Sequence, residues 1–174
     1  MKKPFFAFGA LALTAALAFA GCGSSDSSSS GGAYGSSGES TAKSASSESS
    51  GGGPIAIVSA TTVPKLGKVI VDSKGFTLYD FHKDKGGKSS CYGACEQVWP
   101  PLTTGGKPQA GEGAMASKLG TTKRKDGTLQ VTYAGWPLYT YVEDKKPGDA
   151  KGHDFSSFGA QWYALLPSGQ EAAD

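Results

Sequence analysis

Three patterns of apolar and polar residues succeed one another along the chain. Residues 5–19 are almost continuously apolar behind Lys2 and Lys3, a run too short for a durable membrane span. Residues 23–53 hold 14 Ser and 8 Gly and no aliphatic side chain larger than Ala. From residue 54 onward, β-branched and aromatic residues return in short runs separated by Gly-containing turns. A charged start, an apolar stretch and then small residues make a secretory signal. A Ser/Gly tract cannot bury enough apolar surface to offset its chain entropy, so disorder is expected there. The later runs predict short strands. The expected organisation is therefore a signal segment over 1–21, a tether over 22–53 and one β-domain over 54–174, long enough for a single core.

The domain is internally duplicated, and its strands are best read through the repeat. A shift of 60 superposes Thr61, Thr62, Lys65, Gly67 and Val71 on Thr121, Thr122, Lys125, Gly127 and Val131. It also superposes Gly75, Leu78, Tyr79, Asp84 and Lys85 on Gly135, Leu138, Tyr139, Asp144 and Lys145, making ten identities in 25 ungapped positions. A slip of three more brings Trp99 beside Trp162. The units span about 61–102 and 121–166. Residues 68–71 and 76–81 predict a strand pair turning at Gly75, and residues 129–133 and 136–142 predict its copy turning at Gly135. Residues 55–58 predict a leading strand and 161–166 a closing one. Residues 102–113, rich in Gly, Pro and Thr, read as a loop. Only residues 94–99 look helical, a single turn stopped by Pro100. Strand alternation puts Tyr79 and Phe81 on one face, and Tyr139 and Tyr141 on its counterpart.

Composition and charge narrow the function. The chain carries a formal +2, but loss of Lys2 and Lys3 with a signal would leave basic and acidic residues equal in number. No basic surface can hold a phosphate backbone, so no nucleic-acid partner is expected. The apolar run ends Leu17-Ala18-Phe19-Ala20-Gly21-Cys22. Small residues immediately before a cysteine resemble the lipobox of bacterial lipoproteins, although Phe19 stands where Leu is preferred. Cys22 is then expected to carry lipid and become the mature N-terminus, with simple cleavage after Ala20 as the alternative. Two or three acyl chains, at about 0.8 kcal/mol per buried methylene, make a stable anchor.

Leu78-Tyr79-x-Phe81-x-x-Asp84 and Leu138-Tyr139-x-Tyr141-x-x-Asp144 share a Tyr-x4-Asp signature. Cys91-Tyr92-Gly93-Ala94-Cys95 leads to Trp99-Pro100-Pro101-Leu102, and Pro147-Gly148-Asp149 leads to Gly159-x-x-Trp162. Together these motifs resemble the secreted-repeat lipoproteins of unknown function over residues 65–170. Gly152-His153-Asp154 departs from the small or polar residues usual there. The resemblance implies a β-repeat fold at an extracytoplasmic address and names no activity.

Candidate chemistry is sparse. The Tyr-x4-Asp pairs admit two readings: ligand sites that each present a phenol and a carboxylate, or core aromatics followed by turn-capping Asp84 and Asp144. The second is expected. In an oxidising compartment Cys91 and Cys95 are expected to form one bridge. Haem attachment would need Cys-x-x-Cys-His, a redox dithiol would need a thioredoxin-like context, and zinc would need four ligands. A metal set of His82, Asp84, His153 and Asp154 is conceivable but reads equally as loop side chains, so no metal or cofactor is expected. No catalytic motif is present. The expected function is a non-enzymatic, lipid-anchored module that binds an envelope protein or a small ligand. The alternative is an accessory to extracytoplasmic redox or electron-transfer chemistry.

Overall fold

The computed structural model describes residues 53–173. The signal segment 1–21, Cys22, the tether up to residue 52 and Asp174 lie outside the described residues. Within them, each repeat opens on a hairpin. In the first, β1 (Ile57–Val63) pairs antiparallel with β2 (Gly67–Val71), followed by β3 (Tyr79–Phe81), α1 (Ala94–Val98), β4 (Thr103–Thr104) and β5 (Gln109–Ala110). In the second, β6 (Leu119–Lys123) pairs with β7 (Leu129–Tyr133), followed by β8 (Trp136–Pro137), β9 (Phe155–Ser157) and β10 (Ala160–Ala164). Pairing is antiparallel throughout except between β1 and β5. No helix among the described residues is long and apolar enough to cross a membrane.

The first hairpin closes Val63 onto Gly67 and the second closes Lys123 onto Leu129. The longer second loop slips the register by two residues rather than one. Val71 and Val131, aligned by the repeat, end on opposite faces: Val71 packs with Tyr79 and Trp99, whereas Val131 packs with Leu78 and Leu138 and takes the place that Ile70 holds in the first repeat. Arg124 opens that longer loop.

The two repeats are joined by exchange of their tails. Three segments meet in each half, centred on two leucines and one β-branched residue. Leu78 N–H donates to the Ile70 carbonyl, Ile70 N–H to Leu165 and Leu165 N–H to Leu78, at 3.1, 2.8 and 3.4 Å. In the other half, Leu138 N–H donates to Val131, Val131 N–H to Leu102 and Leu102 N–H to Leu138, at 3.0, 2.8 and 2.9 Å. Leu165 comes from the end of the second repeat and Leu102 from the end of the first. Each junction is therefore completed by the other unit. The same crossing puts β10 on β3 and β4 on β7.

Two cores lie on opposite sides of these junctions. Val58, Ile70, Leu78, Val131, Tyr133, Leu138 and Leu165 pack one, and Tyr79, Phe81, Trp99, Tyr139 and Trp162 with Val63, Val69 and Val71 pack the other. Successive residues on a strand point to opposite faces, so the Leu-Tyr step of each repeat feeds both cores at once.

Several expected elements differ in extent. The run 76–81 forms a strand only over Tyr79–Phe81, because its ladder partner changes from Ile70 at Leu78 to Tyr139 at Tyr79. The run 136–142 is broken in the same way, and Pro137 has no N–H to extend a ladder. The leading strand begins at Ile57 and runs on to Val63, since β2 supplies a partner along residues 59–63. Within 102–113, Thr103–Thr104 and Gln109–Ala110 are strands because β7 and β1 offer them open edges. Strands β6 and β9 give no apolar alternation in the sequence because both are edges, half-buried or exposed.

Residues 54–110 expressed alone retain β1 and β2 but lose β10, β7 and Leu165. Isolated hairpins are marginal in water, so this fragment should show no cooperative transition in circular dichroism on heating. A cooperative transition would mean that the repeats fold independently.

Candidate functional site

The Tyr-x4-Asp motifs converge on the local axis that relates the repeats. Tyr79 and Tyr139 form a mutual backbone bridge, each N–H donating to the other's carbonyl at 2.9 and 3.0 Å. Their side chains then reach past each other. The Tyr79 hydroxyl donates to Asp144 Oδ2 at 2.6 Å, and the Tyr139 hydroxyl donates to Asp84 Oδ2 at 2.8 Å. Each motif thus places its tyrosine against the other motif's aspartate. The second carboxylate oxygens hold the turns: Asp84 Oδ1 accepts the Ser90 N–H and hydroxyl, both at 2.7 Å, and Asp144 Oδ1 accepts the Lys151 N–H at 2.9 Å.

All four residues are buried. Burial raises both carboxyls above their ordinary range, opposed at Asp84 by hydrogen bonds from Ser90 and Tyr139 and at Asp144 by those from Tyr79 and Lys151. Burial raises both phenols as well, and the facing carboxylate adds to it. The proton therefore stays on the phenol. A charge-assisted bond between buried partners is among the stronger hydrogen bonds in proteins. With every oxygen of the two carboxylates bonded inside the fold, the arrangement fastens the repeats together and presents no reactive face.

The aromatic residues repeat the exchange. Trp99 and Trp162 stack face to face at 3.9 Å with planes 2° apart. Phe81 of the first repeat stacks on Trp162 of the second at 3.9 Å, and Tyr141 of the second stacks on Trp99 of the first at 4.2 Å. Tyr79 meets Trp99 edge-on at 5.4 Å and Tyr139 meets Trp162 edge-on at 5.2 Å. A continuous pile of four rings results, with Phe81 buried at one end and Tyr141 half-buried at the other. Gly152 must be glycine, because a Cβ there would lie 2.6 Å from the Trp99 ring.

Arg124 breaks the symmetry. Its side chain is buried and donates from Nη1 to Ser89 Oγ and Gln130 Oε1, both at 2.9 Å, and from Nη2 to the Cys91 carbonyl at 3.0 Å and to the Glu96 carboxylate. The Tyr92 ring covers the guanidinium at 4.4 Å. Ser89 Oγ also bonds the Tyr139 hydroxyl at 2.7 Å, which links this network to the Tyr–Asp exchange. The Cys91–Cys95 disulfide closes the turn into α1, with its Cα atoms 5.3 Å apart and both residues buried. Nothing in the sequence marked Arg124, because its counterpart in the first repeat is Pro64 and a lone arginine before Lys125 reads as a solvated turn.

The four residues considered for a metal are not gathered. Asp84 is committed to Tyr139 and Ser90, the His153 Nδ1 accepts the Ala164 N–H at 3.2 Å, and Asp154 is exposed at a turn with φ of 49°. His82 instead lies beside Asp80 and Glu171. Neither of these two acids stands in the repeated signature, so residue type alone does not mark them.

Replacing Tyr79 or Tyr139 by Ala should cost about 3–5 kcal/mol through the cavity it leaves. Replacing either by Phe should cost about 1.5–3 kcal/mol, because a buried carboxylate oxygen loses its donor. Denaturant unfolding at constant m-value measures both. A wild-type midpoint for Tyr139→Phe would show that the hydroxyl contributes nothing to the fold.

No curated protein and no solved structure matches the chain. A family model described as a secreted repeat of unknown function matches residues 60–103 and again residues 120–165. Those bounds enclose both Tyr-x4-Asp motifs, both tryptophans of the stack and both exchanged leucines. With two tandem matches over half its length, the chain belongs to this secreted-repeat family.

Proposed function

We propose that this protein is a non-enzymatic interaction module of the cell envelope, held at the extracytoplasmic face of the cell membrane by lipid on Cys22 and joined to it through the Ser/Gly tether. The β9–β10 hairpin is the observation that carries the reading. Its two turn residues, Phe158 and Gly159, both have positive φ, 53° and 87°, as the tight two-residue hairpin turn requires. Asn, Asp or Gly normally takes the first of these positions, and a bulky aromatic there is strained. Phe158 is nonetheless exposed, as is Phe155 on the same hairpin, whose ring lies 5.8 Å from Tyr141 and 6.3 Å from Trp99. The exposed hairpin extends from the end of the aromatic pile. A strained, solvent-facing aromatic on a rigid base suits contact with an apolar face of another envelope protein.

Anchoring is supported by the lipobox-like run before Cys22, and a flexible tether of the kind expected from the sequence would reach roughly 30 Å. That reach lets the hairpin meet a partner without the domain touching lipid. The rival redox reading has less support, since reactive thiols are partly exposed and Cys91 and Cys95 are buried.

In-cell crosslinking with mass spectrometry tests the reading. Phe158→Asn should keep or raise the unfolding midpoint, because Asn suits the turn, yet it should remove the principal crosslinked protein neighbour. Cys22→Ser should shift the protein from the membrane fraction to the medium and lose the same neighbour. An unchanged neighbour in Phe158→Asn would rule out the hairpin as the contact surface.

A further inference from the structure

Asp80 occupies the centre of β3, pointing away from the face that carries Tyr79 and Phe81. Its side chain is fully buried. Oδ1 accepts the Tyr163 N–H at 3.2 Å, but Oδ2 is buried with no hydrogen-bond donor. This oxygen lies 3.9 Å from His82 Nε2, which is itself 2.7 Å from Glu171 Oε1, and the three atoms all fall within 4.8 Å of one another. His82 follows β3 directly, with its N–H donating to the Gln161 carbonyl at 3.0 Å, and its ring comes to the side that Asp80 occupies. Glu171 is brought to them by the terminal turn, where Leu166 N–H donates to Gln170 and Ala172 N–H to Ala164. The His82 ring is held between Trp136 at 5.8 Å and Tyr163 at 4.8 Å.

The repeat fold does not require these residues. The positions equivalent to Asp80 and His82 in the second repeat are Thr140 and Val142, which complete the same architecture without charge. A buried carboxylate oxygen lacking a donor is costly to the fold and calls for a cation. His82 Nε2 faces Asp80 Oδ2 from 3.9 Å, too far for a hydrogen bond, and is held instead by Glu171. Two carboxylates and one imidazole together match a divalent ion, and the imidazole favours zinc-like metals over magnesium or calcium.

We propose that Asp80 Oδ2, His82 Nε2 and Glu171 Oε1 form a binding site for a single divalent transition-metal ion of the zinc class, with solvent completing its coordination. Ligand distances near 2.0–2.2 Å around a tetrahedral ion require ligand atoms roughly 3.3–3.5 Å apart. The half-exposed His82 and Glu171 side chains reach that spacing by opening their mutual contact, while Asp80 is fixed by the Tyr163 N–H.

The test is a Zn2+ titration of the untagged, chelator-treated full chain, read by bound metal per chain and by the thermal midpoint. The site predicts one Zn2+ bound per chain and a midpoint that rises with Zn2+ concentration. His82→Gln and Glu171→Gln alter half-exposed side chains and should keep the metal-free midpoint close to wild type. Each should weaken Zn2+ binding at least about tenfold, the lower limit for disturbing a mere supporting residue of a metal site. His153→Gln, outside the cluster, should bind as wild type does. Absence of Zn2+ binding by the wild-type chain, or wild-type affinity in both His82→Gln and Glu171→Gln, would overturn the proposal.

Discussion

The reciprocal bond between each repeat's tyrosine and the other repeat's aspartate is the constraint on which the rest of the fold depends. A phenol and a carboxylate five positions apart cannot both be buried cheaply within one short strand and turn. Exchange solves this, because Tyr79 and Tyr139 already lie side by side through their backbone bridge, and each hydroxyl reaches the carboxylate opposite. Once the exchange is made, the remaining oxygens of Asp84 and Asp144 hold the turns that follow, at Ser90 and Lys151. Core, bridge and turn are therefore set by one pair of side-chain bonds used twice.

The other symmetric contacts share that logic. Leu102 and Leu165 cross to complete the opposite junctions, and Trp99 and Trp162 stack so that Phe81 and Tyr141 each cover the other repeat's indole. Because so many contacts cross between repeats, neither unit has a core of its own. Departures from symmetry then gain meaning. Arg124 ties the second hairpin loop to the disulfide turn, Phe158 presents an aromatic at a strained tip, and Asp80 buries a carboxylate that the second repeat replaces with Thr140. The fold is carried by what the repeats share, and the candidate binding features are found where they differ.

Much of this was legible in the sequence. The ten identities at a spacing of 60 revealed the duplication, and aromatic alternation placed Tyr79 and Phe81 on one face. The gap between Cys91 and Cys95 fitted a single bridge. What the sequence could not reveal was partner choice. Turn chemistry after Asp84 and Asp144 accounted for one oxygen of each carboxylate, and the other was satisfied by a residue 55 or 65 positions away. Strands β6 and β9 escaped notice because edge strands need no buried alternation. Arg124 and the Asp80–His82–Glu171 cluster were hidden for a related reason: each is assembled by long-range packing from residue types that elsewhere in the chain are solvated.

A double-mutant cycle tests the exchange most directly, since it separates a cross-repeat bond from a local one. Tyr79→Phe would be combined with Asp144→Asn in one cycle and with Asp84→Asn in another, each read by denaturant unfolding. Direct partners couple by about 0.5–3 kcal/mol, whereas residues that share no bond are nearly additive. The account predicts clear coupling between Tyr79 and Asp144 and a smaller value between Tyr79 and Asp84. Coupling confined to Tyr79 and Asp84, within a single motif, would contradict it.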